Sequence, residues 1–406
     1  MKAEGRKANG DWKTVALGDV AEFVRGINFK PDDVVPTGTP GSVACMRTKN
    51  VQAELDLSDV WSVGEQFVRR EDQFLQAGDV LVSSANSWNL VGKCCWIPEL
   101  PGRASFGGFV SVLRPHRAKI EPRFLFRWFS SDRIQTTLRS FGQQTTNISN
   151  LNTDRCLKLS LPLPPLAEQR RIAEVLDRAE ALRAKRRAAL AQLDSLTQSL
   201  FLDLFGDPVA NPKGWPMIPF GDICDTRLGK MLDQKQQTGH HVRPYLRNAN
   251  VQWFRFELAE VFEMDFDEKA RKVFRLQDGD LLICEGGEPG RAAVWRGEIA
   301  ECYYQKALHR ARPRSDLAIA EFLAWQLWFL AHRGGLGDHV TSATIAHLTG
   351  EKLNAMKVPL PPIPLQREFA RRVTAVEALK RAQRASLAEL DALFATLQHR
   401  AFRGEL

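Results

Sequence analysis

The sequence has no Cys-x-x-Cys pair and no Cys/His spacing of the kind that holds zinc; its seven cysteines stand at 45, 94, 95, 156, 224, 284 and 302. An odd, irregular set of this kind excludes a disulfide framework and predicts free thiols in a reducing compartment, the cytoplasm. Long hydrophobic runs are also missing. The longest, "LAIAEFLAWQLWFL" (317–330), is shorter than a bilayer span and carries Glu321. The stretch "MKAEGRKANGDW" lacks the apolar core of a secretory signal, so no membrane segment is expected.

Motifs that carry chemistry are equally scarce. No GxxxxGK[ST] phosphate loop occurs, which excludes a P-loop ATP motor. The histidines form no HExxH pair. "CEGGEPGR" (284–291) is glycine-rich but without GxGxxG spacing, and reads as a turn. "NPKG" (211–214) lacks the second proline and the aromatic of the Asn-Pro-Pro-aromatic tetrad with which base-methylating enzymes hold a flipped base. Neither catalysis by this chain nor a metal or cofactor bound to it is expected.

Charge is present but not concentrated. The net charge of +8 and a pI near 9.2 suit a polyanionic partner. Residues 11–160 hold 18 basic and 16 acidic side chains, 166–205 hold 7 and 6, 214–357 hold 19 of each, and 365–406 hold 8 and 5. With no polybasic tail, contact with nucleic acid would have to come from a patterned surface. A merely basic soluble protein is the plainer reading.

The chain is written twice. "DWKTVALGDVAE" (11–22) answers "GWPMIPFGDICD" (214–225), "MRTKNVQ" (46–52) answers "LRNANVQ" (246–252), and "LQAGDVLV" (75–82) answers "LQDGDLLI" (276–283). "TTNISNLN" (145–152) matches "SATIAHLT" (342–349), and "LPLPPLAEQRRIAEVLDRAEALRAKRR" (161–187) matches "VPLPPIPLQREFARRVTAVEALKRAQR" (358–384) at an offset of 197. A repeat of about 200 residues is too long for a solenoid unit, so each copy is a domain plus something more.

That addition is a long helix. Prolines end the preceding strand, helix formers follow, and an apolar stripe at heptad spacing includes Ile172, Leu182, Leu193, Leu196 and Leu200 in the first copy. The second has Phe369, Val376, Leu379, Leu390, Leu393 and Leu397. One such helix alone could be a core helix of its own domain. Two of about 40 residues, each ~60 Å long, exceed what either globular copy can cover, so they are expected to pair antiparallel and give a pseudo-two-fold dumbbell.

The globular copies alternate short apolar runs with Gly/Pro/Asn turns and add amphipathic helices at "PRFLFRWFSSDRIQTTLRS" (122–140) and "AIAEFLAWQLWFLAHRG" (318–334). The predicted class is α+β: two similar α/β domains at 1–160 and 210–357, with long helical segments at 161–209 and 358–406.

These motifs together resemble the specificity subunit of type I restriction-modification systems. The resemblance covers nearly the whole chain: "LGDVAE", "GDVLVSSANS" and "GDLLICEGGEPGR", "TTNIS", "LPLPPLAEQRRIAEVLD", "LFGDPVANPKGW" and "VPLPPIPLQREFARRV". It implies two target recognition domains, each reading one half of a bipartite site in double-stranded DNA. It also implies two long helices, the conserved regions of that family, pairing as an antiparallel coiled coil that sets the gap between the halves. The same helices would dock two methyltransferase subunits. S-adenosylmethionine, ATP and magnesium would sit on the methyltransferase and restriction subunits, and none on this chain.

Base edges are read by Asn/Gln, Arg/Lys and Ser/Thr. Two loops per copy carry such residues. In the first copy they offer Asn86, Asn89, Lys93, Gln143, Gln144, Thr145 and Asn147; in the second, Arg291, His339, Thr341, Ser342 and Thr344. On the residues alone, ordinary polar turns and a helix cap at "TTNIS" or "TSATI" remain an equal reading. A pseudo-dimeric scaffold that binds proteins through its rods also remains open.

Overall fold

The structure, a computed structural model, describes residues 12–144, 148–232, 238–337 and 347–406, and not the side chains of Gln143 and Gln144. It divides into two units, residues 1–187 with 385–406, and residues 188–384. Each long helix contributes one part to each unit.

In the first unit a four-stranded antiparallel sheet runs in the order Ala21–Arg25, Val110–Pro115, Val80–Ser83, Cys94–Trp96. The central strands are buried along their whole length, which is why "VLVS" and "VSVLRP" read as continuous apolar runs and not as an alternation. The second unit repeats the order with Cys224–Leu228, Leu308–Pro313, Leu281–Cys284 and Ala292–Val294. A smaller sheet joins each: Val34–Val35, Trp61–Gly64, Ser42–Met46 and Ala104–Phe106 in one, and Phe262–Asp265, Val242–Leu246 and Tyr303–Tyr304 in the other.

The repeated motifs are structural joints. In "LQAGD" and "LQDGD", Gly78 and Gly279 take φ of 95° and 88°, the left-handed region glycine enters without steric cost. The following aspartate then turns inward. Asp79 accepts the Gln76 N–H and a two-pronged contact from Arg114; Asp280 does the same with Gln277 and Arg312. Asn50 and Asn250 form a second matched joint, each accepting from an arginine N–H three residues back and donating to two carbonyls further on.

The predicted helix at 122–140 is two helices, Pro122–Phe129 and Asp132–Ser140. The break falls at Ser130-Ser131, where the Ser131 hydroxyl donates to the Trp128 carbonyl at 2.7 Å and so offers an alternative to helix continuation. The helix Ala320–His332 is apolar on nearly all sides and buries nine residues.

The long helices span Leu166–Phe205 and Ile363–Ala401. Each is fixed at its start by a buried glutamine. Gln169 accepts the Glu121 N–H and donates to the Pro164 carbonyl; Gln366 accepts the Ile319 N–H and donates to the Pro361 and Leu317 carbonyls. Just upstream, Ser160–Leu163 pairs with Lys13–Ala16, and Lys357–Pro359 with Met217–Pro219.

Within each unit the two helices run antiparallel. In the first, Arg171 donates to the Leu406 carbonyl and Arg183 to Asp391. In the second, Asp194 meets Lys380 while Phe201 and Phe205 meet Phe369, at ring separations of 5.5 and 5.3 Å.

The heptad assignment needs correction. Leu182, Leu196, Leu379 and Leu393 are 45–54% exposed. Ile172, Phe369 and Val376 are buried, and Leu193, Leu200, Leu390 and Leu397 are half-buried. The buried line instead passes through Ile172, Leu176, Ala179, Thr197 and Phe201. A straight helix gains about 20° per heptad on a strict 3.5-residue repeat, so after four heptads the inward position has moved by about one residue. Thr197 and Phe201 are therefore buried where the heptad placed Leu196 and Leu200. Among the described residues no helix is long and apolar enough to cross a membrane.

Candidate nucleic-acid interface

The two candidate loops of the first copy, distant in the chain, are joined by backbone. Strand Ser149–Leu151 pairs on one side with Gly142–Gln144 and on the other with Ala85–Asn86, opposing Ser149 to Asn86 and Asn150 to Ala85. Leu151 N–H also donates to the Ser84 carbonyl at 2.8 Å. The second copy keeps this last contact as Leu348 N–H to the Glu285 carbonyl, again at 2.8 Å.

A basic residue stands at the same place in both. Lys93 lies where Ser83 N–H meets its carbonyl, and Arg291 where Cys284 N–H meets its own, each at 2.8 Å. The Lys93 ammonium donates to Gln52 at 2.6 Å. Arg291 donates to the Asn248 carbonyl at 3.1 Å and to Glu288 at 3.3 Å. Both therefore face the short turn Thr48–Asn50 or its counterpart Asn248–Asn250.

Around Lys93 a cleft of about 270 Å³ is lined by Thr48, Lys49, Gln52, Ser83, Asn86 and Leu90 among others. Asn86 spends part of its capacity internally, donating to the Ser83 hydroxyl at 3.1 Å and accepting the Ser87 N–H at 2.8 Å. Asn89 accepts the Ser87 hydroxyl at 2.7 Å and is exposed at the loop tip. Gln143 and Gln144 are placed by backbone pairing alone. Thr145, Asn147, His339, Thr341, Ser342 and Thr344 lie outside the described residues. The short helices after these stretches, Thr153–Leu157 and Gly350–Ala355, are capped by Asn152 and Thr349, not by "TTNIS" or "TSATI".

Sequence reasoning missed Thr48, Lys49 and Gln52. The signal was present in "MRTKNVQ" against "LRNANVQ": Asn50 and Asn250 are framework, whereas Thr48-Lys49 becomes Asn248-Ala249. A turn whose scaffold repeats and whose outward side chains change is suited to reading different features. Among the described residues no cluster of His, Cys, Asp or Glu could hold a metal ion. All seven cysteines are free, and burial pushes the Cys284 thiol up to about 11, leaving it protonated at neutral pH.

A basic side chain at matched positions, Lys93 in a polar cleft and Arg291 in the other copy, on two copies of one α+β scaffold, defines a duplicated recognition protein. The sequence model described as type I restriction modification DNA specificity domain matches residues 9–192 and 212–391. The chain therefore belongs to this family, that of the specificity subunits of type I restriction-modification systems. It is 24% identical over 418 residues to the EcoKI specificity subunit of Escherichia coli K12, covering 97% of this chain and 89% of that one. It is 22% identical over 420 residues to the StySPI specificity subunit of Salmonella potsdam, again covering 97% and 89%. The fold matches the crystal structure of a type I S subunit from M. genitalium, with TM-score 0.59, 15% identity and 98% of both chains covered. A chain solved for the assembly and conformational transition of the type I R-M system gives 0.57 at 20% identity, with 99% and 100% covered.

Proposed function

We propose that each copy reads one half of a bipartite site in double-stranded DNA, the first through the Lys93 cleft and the second through the Arg291 region, and that the paired long helices set the unspecified gap. The observation that carries this reading is the matched joining of two variable loops to one fixed scaffold. Leu151 to Ser84 and Leu348 to Glu285 are the same contact, while the side chains beside them differ, as two half-sites of different sequence require.

The chain is a recognition subunit, and in this reading it performs no bond chemistry. Two methyltransferase subunits carrying S-adenosylmethionine dock on the long helices. Restriction subunits with ATP and magnesium complete the complex. Methylome sequencing of the host with and without this gene tests the proposal: loss of one bipartite, asymmetric adenine-methylated motif supports it, and an unchanged methylome overturns it.

A further inference from the structure

The first copy exposes two aromatic side chains beside its polar cleft. Phe109 is 63% exposed and Trp88 is 52% exposed, the two most exposed aromatic side chains among the described residues. Phe109 is held there by backbone: its carbonyl accepts the Ser84 and Ala85 N–H groups at 3.0 and 3.1 Å, and Val110 opposes Ser83 in the sheet. It thus adjoins the strand that carries Asn86. Trp88 lies in the loop between Asn86 and Lys93.

The surroundings are cationic. On its other side the Gly107-Gly108-Phe109 turn meets the segment Gly26–Asn28: Ile27 bridges Gly107, and a side chain at Gly108 would collide with Asn28. That segment borders a cleft of about 480 Å³ which also includes Arg25, Arg69, Arg70 and Gln73. An exposed aromatic between a lysine-lined cleft and an arginine-lined cleft matches a duplex, whose phosphates are anionic and whose base pairs present π faces once unstacked. An apolar protein partner would not call for the flanking cations.

The second copy differs at this position. Ala307 occupies the equivalent position, its carbonyl accepting the Glu285 N–H at 2.9 Å while Leu308 opposes Cys284.

We infer that Phe109, with Trp88 nearby in the chain, stacks on or wedges between bases of the half-site read by the first copy, unstacking one step there in addition to the bases flipped for methylation. The inference rests on the proposed reading of bipartite DNA.

The test uses the full-length chain assembled with its methyltransferase subunits and duplexes that carry the methylome-derived site with 2-aminopurine at successive positions of each half. Target adenines flipped toward the methyltransferase subunits brighten in both halves; the expected result is a fluorescence rise at one further step, in the first half-site only. Phe109→Ala should abolish that rise and weaken binding roughly 5- to 150-fold, as removal of an aromatic–base stack does. Phe109→Leu, which keeps an apolar wedge, should retain part of the signal. An unchanged melting temperature for both variants separates loss of contact from unfolding. Wild-type protein that binds the site with Phe109→Ala equally tight and equally fluorescent would overturn the inference alone. So would Phe109→Ala complexes that lose a methyltransferase subunit, since the patch would then be a protein contact. Failure of the wild type to prefer the site at all would overturn the bipartite reading itself.

Discussion

Arg183 Nε of the first long helix donates to Asp391 Oδ1 of the second at 2.6 Å, and the repeat offset of 197 turns this contact into another one. Arg183 corresponds to Lys380, and Asp391 to Asp194, which meet at 2.8 Å. The neighbours correspond as well: Glu180 holds Arg183, and Glu377 holds Lys380. Each unit thus carries one copy of the same three-residue ionic contact, which fixes the helix register within it.

Arg183 is 20% exposed and Asp391 46%, so water screens the pair. A double-mutant cycle with Arg183→Ala and Asp391→Ala should give a coupling of about 0.5–1 kcal/mol, falling with added salt. A coupling above about 3 kcal/mol would mean that the pair is desolvated.

Lys380 behaves differently because it is the buried member, at 5% exposure against 59% for Asp194 and 35% for Glu377. Removing both carboxylates strands a buried charge, so Asp194→Ala with Glu377→Ala should cost about 3–5 kcal/mol. Lys380→Met leaves only half-exposed carboxylates and should cost less than about 1 kcal/mol. Denaturant unfolding distinguishes the two, and equal losses would contradict the asymmetry.

Gln169→Ala and Gln366→Ala each orphan a backbone N–H and at least one carbonyl where a long helix begins. Each should cost about 1–3 kcal/mol, against a few tenths for the exposed Gln192. Hydrogen exchange at the Glu121 and Ile319 amides should accelerate in the matching variant only.

His309 is buried, with Nε2 3.0 Å from the Leu348 carbonyl. Burial holds its pKa below the ordinary histidine value, partly offset by that carbonyl and by Glu285. A depressed histidine is stabilising while neutral. Its contribution is complete above about pH 6.5 and is lost as pH falls toward the folded-state value. The melting temperature of the wild type should therefore drop below about pH 6.5 more steeply than that of His309→Gln.

The repeat was legible in the sequence because its motifs are joints with narrow requirements. Gly78 and Gly279 need positive φ, Asp79 and Asp280 must receive an arginine, and Gln169 and Gln366 must close a helix start. The position of the seam was only partly legible: Leu182 and Leu379, in the second heptad, already face solvent, and the drift between 3.5 and 3.6 residues per turn accumulates until Leu196 points outward and Thr197 inward. The meeting of Asn86 with Ser149 was not legible either: it is a backbone pairing across 63 residues, and nothing local in either loop encodes it. Phe109 escaped notice for the opposite reason. A phenylalanine opening "FVSVLR" reads as core, and only the sheet register shows it turned to solvent.

The most direct measurement is the methylome of cells expressing Lys93→Ala or Arg291→Ala in place of the wild-type chain. Each substitution removes the basic side chain at the same scaffold position in a different copy. The account predicts that each relaxes one half of the bipartite motif, at a discrimination loss of about 1–3 kcal/mol per contact, with the other half and the gap unchanged. Relaxation of both halves by either substitution, or of neither by both, would contradict it.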